Sequence, residues 1–189
     1  MGNFFENKTF KKIDYSGKKL LLSEFERCSF INCNFTNSDL SGITFSECKF
    51  HDCNFSNTKT VDTSFQSITF LNCKLLGIDF DTCNRFLLSF YFDECRLNLV
   101  SFYTLKLKGI TFKHCQLLDI DFTETDLTKA IFDNCDMYKS QFFKSILFKT
   151  DFRTAYNYSI DPELNKIKKA KFSTNGIRGL LNKYDIDIE

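Results

Sequence analysis

Large apolar residues recur every five positions along most of this chain. From Phe92 to Phe152, phenylalanine alternates with leucine or methionine without a break, and a small or apolar residue precedes each of them by two positions. A helix would need apolar residues every three or four positions, and a strand every two. The period of five therefore predicts short straight segments separated by turns, with each repeat forming one side of a solenoid coil. The apolar centres are Phe92, Leu97, Phe102, Leu107, Phe112, Leu117, Phe122, Leu127, Phe132, Met137, Phe142, Leu147 and Phe152.

The cysteines indicate the length of one coil. The chain has nine cysteines, and most of them recur at a spacing of twenty residues. Twenty residues are four repeats, so the coil is expected to be a square, with equivalent residues of successive coils about 4.8 Å apart. The spacing predicts three stacks: Cys28 and Cys48; Cys33, Cys53 and Cys73; and Cys95, Cys115 and Cys135.

The repeat resembles that of the pentapeptide-repeat proteins, whose motif is roughly A(N/D)LxX. Matching segments include Cys33-Asn34-Phe35, Ser38-Asp39-Leu40, Cys53-Asn54-Phe55, Thr125-Asp126-Leu127 and Thr150-Asp151-Phe152. The resemblance covers about residues 8 to 172. It implies an all-β fold, a right-handed quadrilateral parallel β-helix in which the central residue and the residue two before it point inward.

The repeat changes phase once, and this divides the chain. Centres fall on multiples of five up to Phe80 and then continue from Phe92, so two residues have been inserted between them. Without the insertion Arg85 would occupy a buried centre, where an unpaired guanidinium is very costly. We expect an N-terminal cap coil (1–20), a first run of repeats (21–83), a phase-breaking bulge (84–91), a second run (92–156) and a C-terminal cap (157–189).

The tail is predicted to leave the β-helix. Ser173 or Thr174 can cap a short α-helix that reaches about Lys183, and Ile186 and Ile188 alternate like a terminal strand. In related bacterial proteins such a C-terminal helix forms a symmetric homodimer, so the resemblance implies a dimer contact here. The apolar residues on one face of the predicted helix are Ile177, Leu180, Leu181 and Tyr184.

Composition indicates the compartment of the protein but not the class of its partner. The formal net charge is +1, from 25 basic and 24 acidic residues, so bulk charge selects no partner. The cysteines are odd in number and all occupy inward positions, which favours buried free thiols in the reducing cytoplasm. No apolar run is long enough for a membrane span, and the N-terminus lacks a signal-peptide core, so we expect a cytoplasmic protein without a membrane partner.

No catalytic constellation is recognisable. The two histidines, His51 and His114, both point outward and lie far apart, and no glycine-rich phosphate loop is present. An inward ladder of cysteines does not offer the convergent ligands of a metal site. We therefore expect a protein that is not an enzyme, with no small-molecule substrate, no cofactor and no metal.

The surface carries two charged features. The face around Leu107, Leu127 and Leu147 leans basic, but no aromatic residue interleaves with its lysines, so direct binding of nucleic acid is not expected. Roughly one coil carries an acidic belt that is a possible interaction surface. The belt comprises Asp119, Asp121, Glu124, Asp126, Asp133 and Asp136, and the basic face comprises Lys106, Lys108, Lys129 and Lys149.

Two functions fit these observations. The first is a protein-interaction scaffold whose flat faces present polar ladders to a partner. The second follows from the resemblance, because relatives protect DNA gyrase or topoisomerase IV from quinolones or other topoisomerase poisons by resembling DNA. A DNA mimic needs an acidic surface to enter a basic groove, and a net charge of +1 departs from that requirement.

Overall fold

The computed structural model describes residues 2–187, which wind into a parallel β-helix with four sides. We call the sides A to D in the order in which the chain visits them. Side A carries a four-stranded sheet of order β1-β3-β5-β7, and side B a seven-stranded sheet of order β11-β10-β9-β8-β6-β4-β2. Isolated parallel bridges such as Asn34 with Asn54 (side C) and Asp39 with Lys59 (side D) connect the coils on the other two sides. The strands are β1 (Asn3–Glu6), β2 (Thr9–Lys11), β3 (Ser23–Glu26), β4 (Ser29–Ile31), β5 (Thr44–Ser46), β6 (Lys49–His51), β7 (Ser64–Gln66), β8 (Ile68–Leu71), β9 (Phe90–Asp93), β10 (Thr111–Lys113) and β11 (Ile131–Asp133).

The predicted β-helix is confirmed by the register of its strands. Strand pairs align residues twenty positions apart, for example Phe112 with Phe132 on side B. On side D the rings of Phe102, Phe122 and Phe142 are stacked, with centroids 5.5 and 5.1 Å apart and interplanar angles of 7° and 18°. Rings of adjacent sides meet edge to face, such as Phe112 and Phe122 at 76°. Offset and edge-on contacts of this kind are the favourable geometries of aromatic pairs.

The residue two positions before each centre fills the space between the corners. All nine cysteines are buried and none forms a disulfide. The backbone N–H of Cys33 donates to the sulfur of Cys53, that of Cys53 to Cys73, and that of Cys73 to Cys95, each over 3.4 Å. The second and third predicted stacks therefore lie in one column, because the inserted residues are accommodated before the chain reaches side C.

The phase change lies at the start of side A. Ser64 still pairs with Asn84, twenty residues later, whereas Ile68 pairs with Phe90, twenty-two residues later. Arg85 points outward, and its Nη2 donates to Oγ1 of Thr104 over 2.9 Å. Phe90 enters the core instead, with its ring centroid 5.6 Å from that of Phe65. The insertion thus replaces a buried charge by a buried ring.

The first coil is the least buried part of the β-helix. Phe5 and Phe10 are only partly buried, although each stacks on its equivalent in the next coil. Lys8 and Lys18 occupy inward positions of the repeat but are exposed, because no other coil of the described residues covers this end. The ammonium of Lys18 donates to the carbonyl of Asp14 over 2.6 Å, which satisfies a backbone acceptor near this end.

The predicted C-terminal α-helix is wrong. The tail forms two 3₁₀ helices, Asn175–Leu180 and Asn182–Tyr184, in which backbone amides bond three residues back. Thr174 is the N-cap of the first one and makes no capping bond with its side chain, but Oγ of the preceding Ser173 accepts from the amide of Gly176 over 3.0 Å. The physical reason is close packing: Gly179 lies so near Tyr158 that a Cβ would be 2.4 Å from the Tyr158 carbonyl oxygen. The last coil therefore fixes the path of the tail.

Within the described residues, no strand follows the 3₁₀ helices of the tail. Ile186 belongs to no strand and is 55% exposed, so the predicted terminal strand is not formed there. Met1, Ile188 and Glu189, which the predicted terminal segments include, lie outside the described residues. Over residues 2–187, no helix has the length and apolar character needed to cross a membrane.

Candidate interaction surface

The interior of the β-helix is solid. Stacked centres such as Phe35, Leu97 and Phe112 are fully buried, and the shorter residues between them fill the remaining space. Buried side chains in protein cores are close-packed, and close packing leaves no room for a substrate. Any binding site must therefore be built on the outer faces or at an end of the rod.

The six residues of the acidic belt lie on all four sides of the rod. Asp119 and Asp136 are on side C, Asp121 and Glu124 on side D, Asp126 on side A and Asp133 on side B. The structure therefore does not gather them into one patch. A flat partner that touched one side would meet at most two of these carboxylates.

Four of these six carboxylates, Asp133 among them, accept hydrogen bonds from other residues of the fold. Asp121 accepts a hydrogen bond from the amide of Thr123 over 2.8 Å, and Asp136 accepts one from Asn157 Nδ2 over 2.8 Å. Asp126 is partly buried, which raises its pKa, but hydrogen bonds from Thr128 and from the Lys108 ammonium outweigh this and hold the pKa below its ordinary value. Such turn-stabilising bonds give these residues a structural role.

Charges alternate along the axis of the rod. On side D, Asp39 pairs in register with Lys19 and with Lys59, and Asp79 lies on this side in the next coil, where its carbonyl accepts from the Thr60 hydroxyl. A hydrogen bond from Ser41 lowers the pKa of Asp39, and the two flanking lysines lower it further. On side B, Asp93 and Asp133 flank Lys113. Opposite charges stacked in this way cancel one another, so neither column forms a continuous acidic stripe.

The basic face on side A contains an aromatic residue that the sequence analysis overlooked. Phe148 is half-buried there, and the ammonium of Lys149 lies 5.2 Å from the centre of its ring. The statement that no aromatic residue interleaves with these lysines is therefore wrong at one position. Lys129, Lys149 and Lys169 share a column, and each has a positive φ at its turn.

The predicted dimer residues differ in their exposure. Ile177 and Tyr184 are exposed, whereas Leu180 and Leu181 are half-buried and Leu180 packs against the core. The 3₁₀ helices have about three residues per turn and are interrupted at Leu181, so the α-helical spacing of the four residues does not apply. Lys183 holds the tail against the last coil through contacts of 2.8 Å to Asp161 and to Glu163.

A cleft of about 530 Å³ opens between the tail and side C of the last coils. Tyr138 and Tyr156 line it and are 54% and 50% exposed. Arg153 and Arg178 also line it, and Arg153 is bound by Asp151 over 2.7 Å. The cleft thus combines exposed aromatic rings with cationic side chains.

Comparison with known protein families matches two parts of the chain. A pentapeptide repeat region matches residues 23–90, and a model of eight pentapeptide repeats matches residues 106–154. The chain belongs to the pentapeptide-repeat proteins. No curated protein sequence matches the chain.

Solved structures of pentapeptide-repeat proteins share the fold. Full-length QnrB1, described as a plasmid-mediated fluoroquinolone resistance protein, has a TM-score of 0.54 and 16% identity over 97% of this chain and 100% of QnrB1. HetL from the cyanobacterium Nostoc sp. strain PCC 7120, described as involved in heterocyst differentiation regulation, has a TM-score of 0.51 and 14% identity over 92% of this chain and 88% of HetL. Identities this low support a common fold alone.

The cleft of this pentapeptide-repeat protein is not encoded by the repeat pattern of its sequence. Tyr138 lies in a turn, Tyr156 in an isolated bridge with Asp136, and Arg178 in the tail, so all three stand outside the apolar pattern of the repeat. One signal was present in the sequence: two tyrosines stand on side C at positions that are mostly polar in earlier coils, such as Thr36 and Asn54. Their proximity to the tail depends on how the tail folds back, which the repeat does not encode.

Proposed function

We propose that this pentapeptide-repeat protein is a non-catalytic scaffold that binds another protein. The observation that supports the proposal is the contrast between a fully packed interior and a C-terminal cleft rimmed by exposed Tyr138 and Tyr156. Tyrosine and arginine are enriched among the residues that dominate binding energy at protein interfaces. Arg153 and Arg178 provide the second of these residue types at the same cleft.

Site-specific photocrosslinking in the native host tests this proposal. A benzophenone amino acid is placed at position 156 in one variant and at position 61 in another, because Val61 is exposed to a similar extent, 49%, on a different side. We expect a discrete adduct from position 156 and none from position 61. Equal or absent crosslinking from the two positions would contradict binding at the cleft.

We further propose that the C-terminal end binds a second copy of the chain, giving a homodimer. Ile177 and Tyr184 are exposed there, at 47% and 53%, beside the half-buried Leu181. Sedimentation of the wild type, Ile177→Asp, Leu181→Asp and the exposed-site control Leu99→Asp measures the mass. A dimer that becomes a monomer only with the tail variants is expected, and a monomeric wild type would exclude the dimer.

Protection of DNA gyrase or topoisomerase IV is the second candidate. It is supported by the shared fold with QnrB1, which is described as a fluoroquinolone resistance protein. The alternating charges of side D weigh against it, because a DNA mimic would present acidic residues at successive positions along the rod. Titration of the purified protein into a gyrase supercoiling assay, with and without a quinolone, decides between the candidates. Rescue or inhibition of supercoiling at micromolar protein supports protection of the enzyme. No effect on supercoiling would support the scaffold function instead.

A reducing compartment such as the cytoplasm is the proposed location. The nine cysteines are all free and buried, and stacked thiols of this kind are typical of proteins that are kept reduced.

A further inference from the structure

Three metal-binding side chains meet at the corner that follows side B. Asp93 ends β9 and Glu94 follows it, while His114 follows β10 in the next coil. The strand register pairs Asp93 with Lys113, which brings Glu94 beside His114. Glu94 and His114 each adopt a left-handed turn conformation, with φ of 54° and 50° respectively. One oxygen from each carboxylate and one imidazole nitrogen lie within 4.8 Å of one another.

The two oxygens of Asp93 have different surroundings. Oδ2 accepts from the hydroxyl of Tyr91 at 3.2 Å and from the ammonium of Lys113 at 3.5 Å. Oδ1 is buried and has no hydrogen-bond partner among the described residues. An unpaired buried carboxylate oxygen is costly, so such an atom calls for an explanation. The Nδ1 atom of His114 is 3.6 Å from it, which is longer than a hydrogen bond.

The separation of these two atoms suits a shared metal ion. Two donors 3.6 Å apart that each lie about 2.1 Å from one ion subtend an angle of roughly 120° at that ion. This angle is close to the tetrahedral arrangement of zinc. Glu94 is exposed beside them and can supply a third ligand, and water can reach the remaining position because His114 is 46% exposed.

We propose that Asp93 Oδ1, a Glu94 carboxylate oxygen and His114 Nδ1 bind one divalent transition-metal ion of the zinc class. Imidazole and carboxylate together favour Zn²⁺, Co²⁺ or Ni²⁺ over Mg²⁺, which prefers oxygen ligands alone. Tyr91 fixes the carboxylate by binding its other oxygen, as residues outside the ligand set do in known metal sites. The bound ion connects the first two coils after the two-residue insertion, because its ligands come from both coils.

Lys113 limits the affinity of this site. Its ammonium lies 3.5 Å from Asp93 Oδ2, so its positive charge opposes a cation at Oδ1 and compensates the carboxylate when the metal is absent. Removing this charge should therefore strengthen metal binding. The proposal thus predicts one variant that loses affinity and another that gains it.

The second histidine of the chain provides a matched control. His51 occupies the same side, its Nδ1 lies 2.9 Å from Asp52, and its side chain is 51% exposed, similar to His114. It is not part of the three-residue cluster. Calorimetric titration of ZnCl₂ into untagged protein at pH 7.5 compares the wild type with His114→Asn, His51→Asn, Glu94→Gln and Lys113→Met. Asparagine suits the left-handed turn at position 114.

We expect one ion per chain in the wild type. His114→Asn and Glu94→Gln should lower the affinity at least tenfold, His51→Asn should change it less than twofold, and Lys113→Met should raise it several-fold. Imidazole ¹⁵N resonances should shift with zinc at His114 and stay fixed at His51. Absence of zinc binding, equal effects of the two histidine variants, or competition by equimolar Mg²⁺ would overturn the proposal. Unchanged circular dichroism of each variant shows that the fold is retained.

Discussion

The backbone amide of Cys73 donates to the sulfur of Cys95 over 3.4 Å, across the insertion that separates the two runs of repeats. Cys53 and Cys73, which are twenty residues apart instead of twenty-two, make the same contact at the same distance. The extra residues are therefore absorbed within one side of one coil. The core continues through the phase change, so the two runs form one continuous stack.

Deleting the two inserted residues tests whether the insertion keeps Arg85 out of the core. Deleting Phe86 and Leu87, which are 68% and 63% exposed, restores the twenty-residue period and places Arg85 in the column of Phe65. We expect this deletion to destabilise the protein by several kcal/mol or to prevent folding, because a guanidinium would be buried without a partner (roughly 3–5 kcal/mol). The same deletion combined with Arg85→Phe should recover most of the stability. Urea unfolding followed by circular dichroism measures both, and equal stability of the two variants would contradict the phase argument.

Stacked phenylalanines are expected to dominate stability. Phe112 is fully buried and stacks on Phe92 and Phe132 at 5.2 Å on both sides. Phe112→Ala should lower the free energy of unfolding by about 3–5 kcal/mol, from lost burial and the cavity that remains. Phe4→Ala is the control, since Phe4 is 57% exposed and should change stability by less than about 0.5 kcal/mol. Similar losses for both would show that burial within the stack is not decisive.

Buried thiols should make the free energy of unfolding fall as the pH rises above about 9. Burial raises the pKa of Cys48 from 9.0 to about 12, and that of Cys83 to about 12 as well. Because the folded-state pKa lies above that of the unfolded chain, the contribution is fully present below pH 9 and is lost as the pH rises toward 12. Each such thiol steepens the fall of the unfolding free energy by up to about 1.4 kcal/mol per pH unit.

Cys48→Ala isolates one of these contributions. The slope of unfolding free energy between pH 9 and 10.5 should be shallower in the variant than in the wild type. The slope is the relevant readout, since alanine also leaves a small cavity that lowers stability at every pH. Parallel slopes in the two proteins would show that the Cys48 thiol titrates equally in the folded and unfolded chains.

Packing of the tail depends on a glycine. A Cβ at Gly179 would lie 2.4 Å from the carbonyl oxygen of Tyr158, which is closer than real atoms approach. Gly179→Ala should therefore detach the tail, and hydrogen exchange of residues 175–184 should accelerate at least tenfold while the β-helix amides stay protected. Ile186→Ala is the control, because Ile186 is also in the tail and is 55% exposed. Unchanged exchange in Gly179→Ala would mean that the tail is held elsewhere.

The sequence alone determined the β-helix, its square coil and its inward residues. A solenoid coil contacts only its neighbours, so a pattern that repeats every five residues specifies the packing of Phe102 on Phe122 without knowledge of distant contacts. The change of phase in the same pattern marks the insertion and keeps Arg85 out of the core.

Tertiary structure decided the features that do not repeat. The tail forms 3₁₀ helices because Tyr158 packs against its glycines, a contact that no local helix propensity reveals. Asp93 and His114 meet because strand register brings adjacent coils together at that corner, although twenty-one positions separate them in the chain. The five-residue repeat specifies the stacked core, because every coil packs in the same way. Contacts between unlike residues that occur only once depend on how the assembled coils lie next to one another.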